Sequence, residues 1–154
     1  MDIWSPRLGG ATFLDLFAGT GAVGIEAVSR GATRLVLVEA QTHVAQQLND
    51  TCRVLDLQNV KVESARLPEA FAKGLRSLDR QFDLIFADPP YDFDDYVELL
   101  EVAVSCLAPT GEIAVEHESR RELPEACRGI RRVDTRRYGD SSLSFYRREP
   151  EAQD

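Results

Sequence analysis

Three glycines stand directly behind an acidic residue in the stretch DLFAGTGAVG. Gly19, Gly21 and Gly24 match the pattern G-x-G-x-x-G between an apolar run that predicts a strand and a segment that predicts a helix. Such a loop turns the chain sharply and lets a ligand approach the backbone closely. The match alone leaves open a dinucleotide, a nucleotide phosphate or a ligand that binds without a phosphate.

The residue that precedes the loop favours the third of these ligands. Asp15 lies at the loop end of the predicted strand TFLDLF, where its carboxylate would oppose a pyrophosphate at the helix N-terminus. The Lys-Ser/Thr pair of a P-loop is missing as well. A carboxylate here suits a ligand that carries a cation, such as the amino group of S-adenosylmethionine. Glu39 ends the next predicted strand, where an acidic residue accepts hydrogen bonds from a ribose of either cofactor class.

A second motif, FADPPYD, follows the fourth predicted strand. Pro89 and Pro90 cannot continue a sheet, so they project Asp88 and Tyr91 rigidly from the carboxyl edge, where open α/β sheets bind ligands. The Asp88 carboxylate and a backbone carbonyl near Pro89 can hold both hydrogens of a planar amine and direct its nitrogen at a methyl group. Tyr91 can stack on a planar base. The motif therefore favours methyl transfer to such an amine.

Short apolar runs alternate with amphipathic segments along the chain, which is typical of βαβ units and a doubly covered parallel sheet. The predicted strands are TFLDLF, RLVLVEA, VKVES, FDLIFADPP and GEIAVEHE, and the predicted helices are 22–29, 42–55, 68–77 and 96–106. RRVDTRRYG and SSLSFYRRE predict a C-terminal antiparallel hairpin that turns at Gly139 and Asp140. The expected fold is a Rossmann-like α/β domain with a mostly parallel sheet.

The composition of the 154 residues is that of one globular domain, which we expect over 1–148 with a disordered tail over 149–154. No apolar run is long enough for a membrane span and no signal peptide is visible, so a cytoplasmic location and no membrane partner are expected. The three cysteines form no CxxC pair, and His43 and His117 show no ligand spacing, which predicts no metal and structural or solvent-facing histidines.

The net charge of −8 argues against a polyanionic partner, but the charge is unevenly distributed. Nine arginines lie between residues 120 and 148 against four acidic residues, Glu122, Glu125, Asp134 and Asp140. This end of the chain could contact a phosphate backbone. A solvated face with internal salt bridges is the equally open alternative.

Taken together, DLFAGTGAVGIEAVSRGA, DPPY and RRYGDSSLSFY resemble the RsmD-type ribosomal RNA methyltransferases, over about residues 6–147. The glycine loop and DPPY mark the wider class of amino methyltransferases, and RRYGDSSLSFY narrows the resemblance. The resemblance implies a class I methyltransferase fold. It also implies an enzyme that transfers a methyl group from S-adenosylmethionine to the N2 amine of a guanosine in small-subunit (16S) rRNA. The implied partner is that rRNA, free or in a partly assembled particle.

By position, the resemblance implies that the target base is held by Asp88, Pro89, Pro90 and Tyr91, and the cofactor by Asp15, Phe17, Gly19, Gly21, Glu39, Ala40, Ser64, Ala65 and Asp88. Ser64 departs from the acidic residue usual there, although a hydroxyl can accept the same hydrogen bond from adenine. The family usually begins with a basic segment and a helix, and MDIW resembles the last turn of that helix. We therefore expect an N-terminally truncated chain.

Three other readings stay open at this point. The same acceptors could hold an adenine N6 amine or a protein glutamine amide. The chain could also be a non-catalytic module that binds S-adenosylmethionine or RNA. A dehydrogenase is the third, and Asp15 disfavours it because of the dinucleotide's charge.

Overall fold

An eight-stranded sheet with helices on both faces forms the structure, a computed structural model that describes residues 2–67 and 82–150. Its strands are β1 (Thr12–Asp15), β2 (Arg34–Glu39), β3 (Val60–Ser64), β4 (Phe82–Ala87), β5 (Leu107–Glu118), β6 (Ala126–Cys127), β7 (Ile130–Tyr138) and β8 (Ser141–Arg148). The helices are α1 (Ala22–Ser29), α2 (Thr42–Val54) and α3 (Tyr96–Cys106), and a 3-10 helix spans Asp2–Arg7.

The strand order is β3-β2-β1-β4-β5-β8-β7-β6. The first five strands in this order pair in parallel, whereas β8 lies antiparallel to both β5 and β7. The β7–β8 hairpin turns at Gly139, whose φ of 68° suits glycine. The predicted Rossmann-like α/β architecture, mostly parallel with a C-terminal antiparallel hairpin, is therefore confirmed.

The element predictions agree closely with the structure. Helices α1 and α3 have the predicted bounds, and α2 ends one residue before the predicted Leu55. The predicted helix 68–77 lies outside the described residues. Strand β5 begins at Leu107, earlier than predicted, and the short β6 had no clear sequence signal. Beyond the domain boundary predicted at 148, the Glu149 N–H still donates to the Gly129 carbonyl at 2.8 Å, and the tail stays a prediction.

Two hydrophobic cores cover the two faces of the sheet, because successive strand residues point to opposite sides. Leu14, Val36, Ile85 and Ile113 pack on the face covered by α3. Their neighbours along the strands, such as Phe13, Leu35, Leu84 and Ala114, pack on the face covered by α1 and α2. None of the helices within the described residues is long and apolar enough to span a membrane.

Trp4 of the 3-10 helix closes the second core. Its ring is 1% exposed and makes edge-to-face contacts with Phe13 and Phe145, at centroid distances of 5.7 and 6.5 Å. The indole N–H donates to the buried Glu112 carboxylate at 2.9 Å, and Arg7 and Arg147 form ion pairs with the same group. The first residues of the chain are therefore a structural part of the domain.

Truncating this ring is expected to destabilise the fold. Trp4→Ala should lower the free energy of unfolding by about 3–5 kcal/mol, because a large buried side chain is lost. Trp4→Phe keeps most of the apolar area but removes the donor to Glu112, which should cost about 1–3 kcal/mol. Urea denaturation measures both, with the exposed Val54→Ala as the control. A wild-type midpoint for Trp4→Ala would contradict this role.

Candidate active site at the carboxyl edge of the sheet

Four neighbouring parallel strands each deliver a carboxyl group to the same edge of the sheet. In spatial order, β2 ends at Glu39, β1 ends at Asp15, Asp88 directly follows β4, and Glu116 lies near the end of β5. Parallel strands present their carboxyl ends at one edge, which is where open α/β sheets bind ligands. The structure thus brings together three carboxyls that the sequence predicted and adds Glu116, which sequence reasoning missed.

The glycine loop connects β1 to α1 beside these carboxyls. Gly19 and Gly21 have φ values of 55° and 81°, in the left-handed region that disfavours other residues. A Cβ on Gly21 would lie 2.6 Å from the Leu48 side chain. Gly24 plays a different part, because a Cβ there would lie 2.6 Å from Leu37, so this glycine allows α1 to approach β2.

Glu39 joins the loop to the next strand end. One carboxylate oxygen accepts the Gly19 N–H at 3.0 Å, and the other accepts the Gln41 N–H at 2.9 Å. Ala40 is exposed beside it, Ser64 pairs with Glu39 in the sheet, and the Ala65 N–H donates to the Glu39 carbonyl at 2.9 Å. The predicted ribose and adenine positions thus lie side by side at the ends of β2 and β3.

Asp15 is the most deeply placed carboxyl of the four, with 1% exposure. Its oxygen accepts the Phe17 N–H at 3.2 Å. Burial raises the pKa of Asp15 to about 7; the Phe17 N–H partly opposes this rise, and the charges of Asp88 and Glu39 add to it. Within residues 2–67 and 82–150, no lysine or arginine forms an ion pair with any of the four carboxyls.

This charge distribution fits the positively charged cofactor predicted from the sequence. Buried carboxyls without cations are costly to ionise, and a cationic ligand offsets that cost. The ammonium and sulfonium groups of S-adenosylmethionine supply such charges, whereas a pyrophosphate would add to the repulsion. Asp15 and Glu39, with the Gly19–Gly21 loop, are therefore the residues that would hold it.

The DPPY motif borders a cavity of about 190 Å³ next to the cofactor edge. The cavity is lined by Asp88, Pro89, Tyr91, Tyr96, Glu116, His117, Glu118, Asp140 and Ser141. Tyr91 is 86% exposed and free to contact a substrate, and Pro90 accepts the Phe93 N–H at 2.9 Å through its carbonyl. Three of the four predicted substrate residues, Asp88, Pro89 and Tyr91, thus line one concavity, whereas Pro90 does not.

A run of aromatic rings connects the cofactor loop with this cavity. Phe17 makes an edge-to-face contact with Phe93 at 5.5 Å, and Phe93 makes another with Tyr96 at 5.2 Å. Phe17 follows β1, Phe93 follows DPPY, and Tyr96 begins α3. The predicted cofactor loop and the cavity beside DPPY are therefore connected by packed aromatic rings.

The two histidines take structural or solvent-facing places. His117 is buried, and burial lowers its pKa, so the ring is neutral. Its Nδ1 lies 2.8 Å from the Glu118 carbonyl and its Nε2 lies 2.7 Å from the Ser144 hydroxyl. The Nδ1–H therefore donates to the carbonyl and Nε2 accepts the hydroxyl proton. His43 is exposed at the start of α2.

Most arginines of the C-terminal region are already paired. Seven of the nine form ion pairs: Arg120–Glu118, Arg121–Asp94, Arg128–Glu101, Arg131–Glu149, Arg132–Glu125, Arg136–Asp134 and Arg147–Glu112. Arg137 donates to the Gly139 carbonyl, and Arg148 donates to the carbonyls of Val104 and Leu107. Of the two possibilities that the sequence left open, the structure favours a face with internal salt bridges.

The fold and the acidic, glycine-bounded edge define a class I methyltransferase that uses S-adenosylmethionine. The family model described as "Conserved hypothetical protein 95" matches residues 1–147, and the chain belongs to this family. The sequence-based identification as RsmD-type is confirmed.

Individual relatives agree with this assignment. The chain is 31% identical to the "Putative rRNA methyltransferase YlbH" of Bacillus subtilis (strain 168), over 93% of this chain and 79% of that protein. It is 34% identical to the "Ribosomal RNA small subunit methyltransferase D" of Escherichia coli (strain K12), over 78% of this chain and 60% of that protein. The solved "Putative methyltransferase yhhF from Escherichia coli" superposes with a TM-score of 0.85 at 28% identity, covering 97% of this chain and 84% of that one.

The raised pKa of Asp15 leads to opposite effects of pH on cofactor binding and on stability. The affinity for S-adenosylmethionine should increase between pH 6 and pH 8, because the carboxyl must ionise to attract the cation. The free energy of unfolding of the ligand-free protein should fall as pH rises from about 4 to about 7, because ionisation is harder in the folded state than in the unfolded chain.

The Asp15→Asn variant tests both effects. It should weaken binding of the cofactor roughly 10- to 100-fold at pH 8, and stabilise the ligand-free protein there by on the order of 1–3 kcal/mol. Calorimetric titration and urea denaturation at pH 5.5 and pH 8 measure these changes, with the exposed Asp50→Asn as the matched control. Wild-type affinity of Asp15→Asn at pH 8 would be inconsistent with the cofactor role.

Proposed function

We propose that this protein methylates the exocyclic N2 amine of a guanosine in small-subunit rRNA. The observation that carries the proposal is the rigid Asp88-Pro89-Pro90-Tyr91 corner after the strand next to Asp15, three of whose residues line a cavity of about 190 Å³. The similarity to a small-subunit rRNA methyltransferase supports the choice of RNA. A cytoplasmic location and the absence of a metal stay predictions.

Binding of the cofactor is assigned to the edge between β2 and β4. Asp15 would face its cationic groups, and Glu39 would accept hydrogen bonds from the ribose hydroxyls. Phe17, Ala40, Ser64 and Ala65 would border the adenosine. When bound, the cofactor supplies a methyl group on a cationic sulfur, so that the amine lone pair forms the N–C bond while the S–C bond breaks with its electrons remaining on sulfur.

Asp88 is proposed to orient the amine and to stabilise the charge that it develops. The lone pair of a guanine N2 is delocalised into the ring, so the nitrogen needs to be held in place. The Asp88 carboxylate would accept one N2–H and a carbonyl near Pro89 the other, while Tyr91 would stack on the base. Partial burial, and then the neighbouring Glu116, raise the pKa of Asp88 to about 7, so this carboxylate can also take the proton that the methylated nitrogen releases.

The RNA substrate is proposed to be a partly assembled particle. Because most C-terminal arginines are already paired, the region 120–148 offers few uncompensated cations to a phosphate backbone. A particle that holds the guanosine unstacked would reduce the binding energy that the domain must supply.

Transfer of labelled methyl from S-adenosylmethionine tests this function. Small-subunit rRNA and its protein-bound particles should acquire the label in N2-methylguanosine after digestion to nucleosides. Asp88→Ala should lower the rate at saturating cofactor by about 100- to 1000-fold, as expected when a group that stabilises the transition state is removed. The exposed Asp92→Ala, on the same loop, should retain wild-type activity.

Other results would identify one of the alternatives. Label in N6-methyladenosine, or in a ribosomal protein, would show that the methylated amine is not that of guanine, and would overturn the proposed substrate. Cofactor binding without any transfer would indicate a non-catalytic module and overturn the proposal.

A further inference from the structure

Glu116 lies beside Asp88 in the substrate cavity, although no sequence motif marks it. Ala87 of β4 pairs with Val115 of β5, so the next residue of each strand projects from the same face at the edge of the sheet. Asp88 and Glu116 both line the cavity of about 190 Å³. The register of two strands therefore places two carboxyl groups together where the base is proposed to bind.

Glu116 perturbs the ionisation of Asp88. The pKa of Asp88 is raised to about 7, first by desolvation and then by hydrogen bonding to, and the charge of, Glu116. Two carboxyl groups side by side suit a ligand that offers two adjacent hydrogen-bond donors. The other titratable groups around this pair are Asp15, Tyr91, Tyr96, His117, Glu118 and Asp140, and the Arg121 guanidinium lies 5.0 Å from the centre of the Tyr96 ring.

Guanine offers the donors that such a pair requires. Its N1–H and one hydrogen of its N2 amine point in the same direction from adjacent positions of the ring. Adenine presents an amine next to N1, which is an acceptor, so a carboxylate opposite N1 would repel its lone pair. A glutamine side chain offers its amide hydrogens but no ring N–H next to them.

We propose that Glu116 is a specificity-determining residue that accepts the N1–H of the target guanine while Asp88 accepts the adjacent N2–H. This inference rests on the proposed function and deepens it, because it states how the cavity selects guanine. Glu116 would position the base, and the methyl transfer itself would take place at the nitrogen held by Asp88.

A substrate with 2-aminopurine at the target position tests this role. Once labelling has located the methylated guanosine, reconstituted particles carry either guanine or 2-aminopurine there. 2-Aminopurine keeps the N2 amine but has an acceptor at N1. At saturating cofactor and pH 8, the wild type should prefer guanine in kcat/KM by roughly 10- to 100-fold, the effect expected of a hydrogen bond to a charged group.

Glu116→Gln should remove most of this preference, because an amide can either accept from N1–H or donate to N1. The exposed Glu122→Gln should keep the wild-type preference. A merely structural effect of Glu116→Gln would lower kcat/KM for both substrates equally. Retention of the wild-type preference by Glu116→Gln would therefore overturn the inference.

The pH dependence provides a second readout. With guanine, kcat/KM of the wild type should rise through about pH 7, as the Asp88 carboxyl ionises. Glu116→Gln removes a negative charge that helps to raise the pKa of Asp88, so this rise should move to lower pH. An unchanged midpoint of the profile in Glu116→Gln would contradict the proposed proximity of the two side chains.

The failure of this inference is distinguishable from that of the proposed function. If the wild type transfers no methyl to guanine N2, both are overturned. If it does so and Glu116→Gln discriminates as the wild type does, only the role of Glu116 is overturned.

Discussion

Desolvation of carboxyl groups at one edge of the sheet, reinforced by their mutual repulsion, is the constraint on which the site depends. Four adjacent parallel strands bring Glu39, Asp15, Asp88 and Glu116 to this edge, and no described lysine or arginine pairs with them. Burial of a carboxyl group such as Asp15 lowers the stability of a fold unless a proton or a ligand compensates its charge. The pKa values of Asp15 and Asp88 rise to about 7, and the proposed cationic cofactor would supply the compensating charge when these groups are ionised.

Hydrophobic packing along the rest of the strands offsets the free-energy cost of these carboxyl groups. Each of the parallel strands β1, β2 and β4 is packed on both faces, and the paired cores hold the backbone in register. Elsewhere in the sheet, the Glu112 carboxylate accepts the Trp4 indole N–H and forms ion pairs with Arg7 and Arg147. Glu112 therefore differs from the four carboxyls of the site, for which no ion pair with a described lysine or arginine is formed.

Much of this arrangement could be predicted from the sequence. Apolar periodicity identified five parallel strands, and local signals such as the glycine loop and the two prolines located Asp15 and Asp88 at strand ends. Glu116 could not be found this way, because its importance comes from the register of β5 beside β4, a relation between distant residues. The choice between a phosphate-binding end and a face with internal salt bridges could not be made from the sequence either, because partners such as Asp94 and Glu101 lie far away along the chain. Long-range contacts, rather than local patterns, account for both gaps.

The hydrogen bonds of Glu39 have a consequence for the entropy of binding. Backbone N–H groups of Gly19 and Gln41 hold both carboxylate oxygens in the folded protein. Fixing a glutamate side chain costs on the order of 1.5–2 kcal/mol of rotamer freedom, and here folding has already met that cost. Each oxygen keeps a second lone pair for a ribose hydroxyl. For the proposed ribose contact the acceptor is thus preorganised, and a nucleoside bound at this strand end would meet a hydrogen-bond partner that is already oriented.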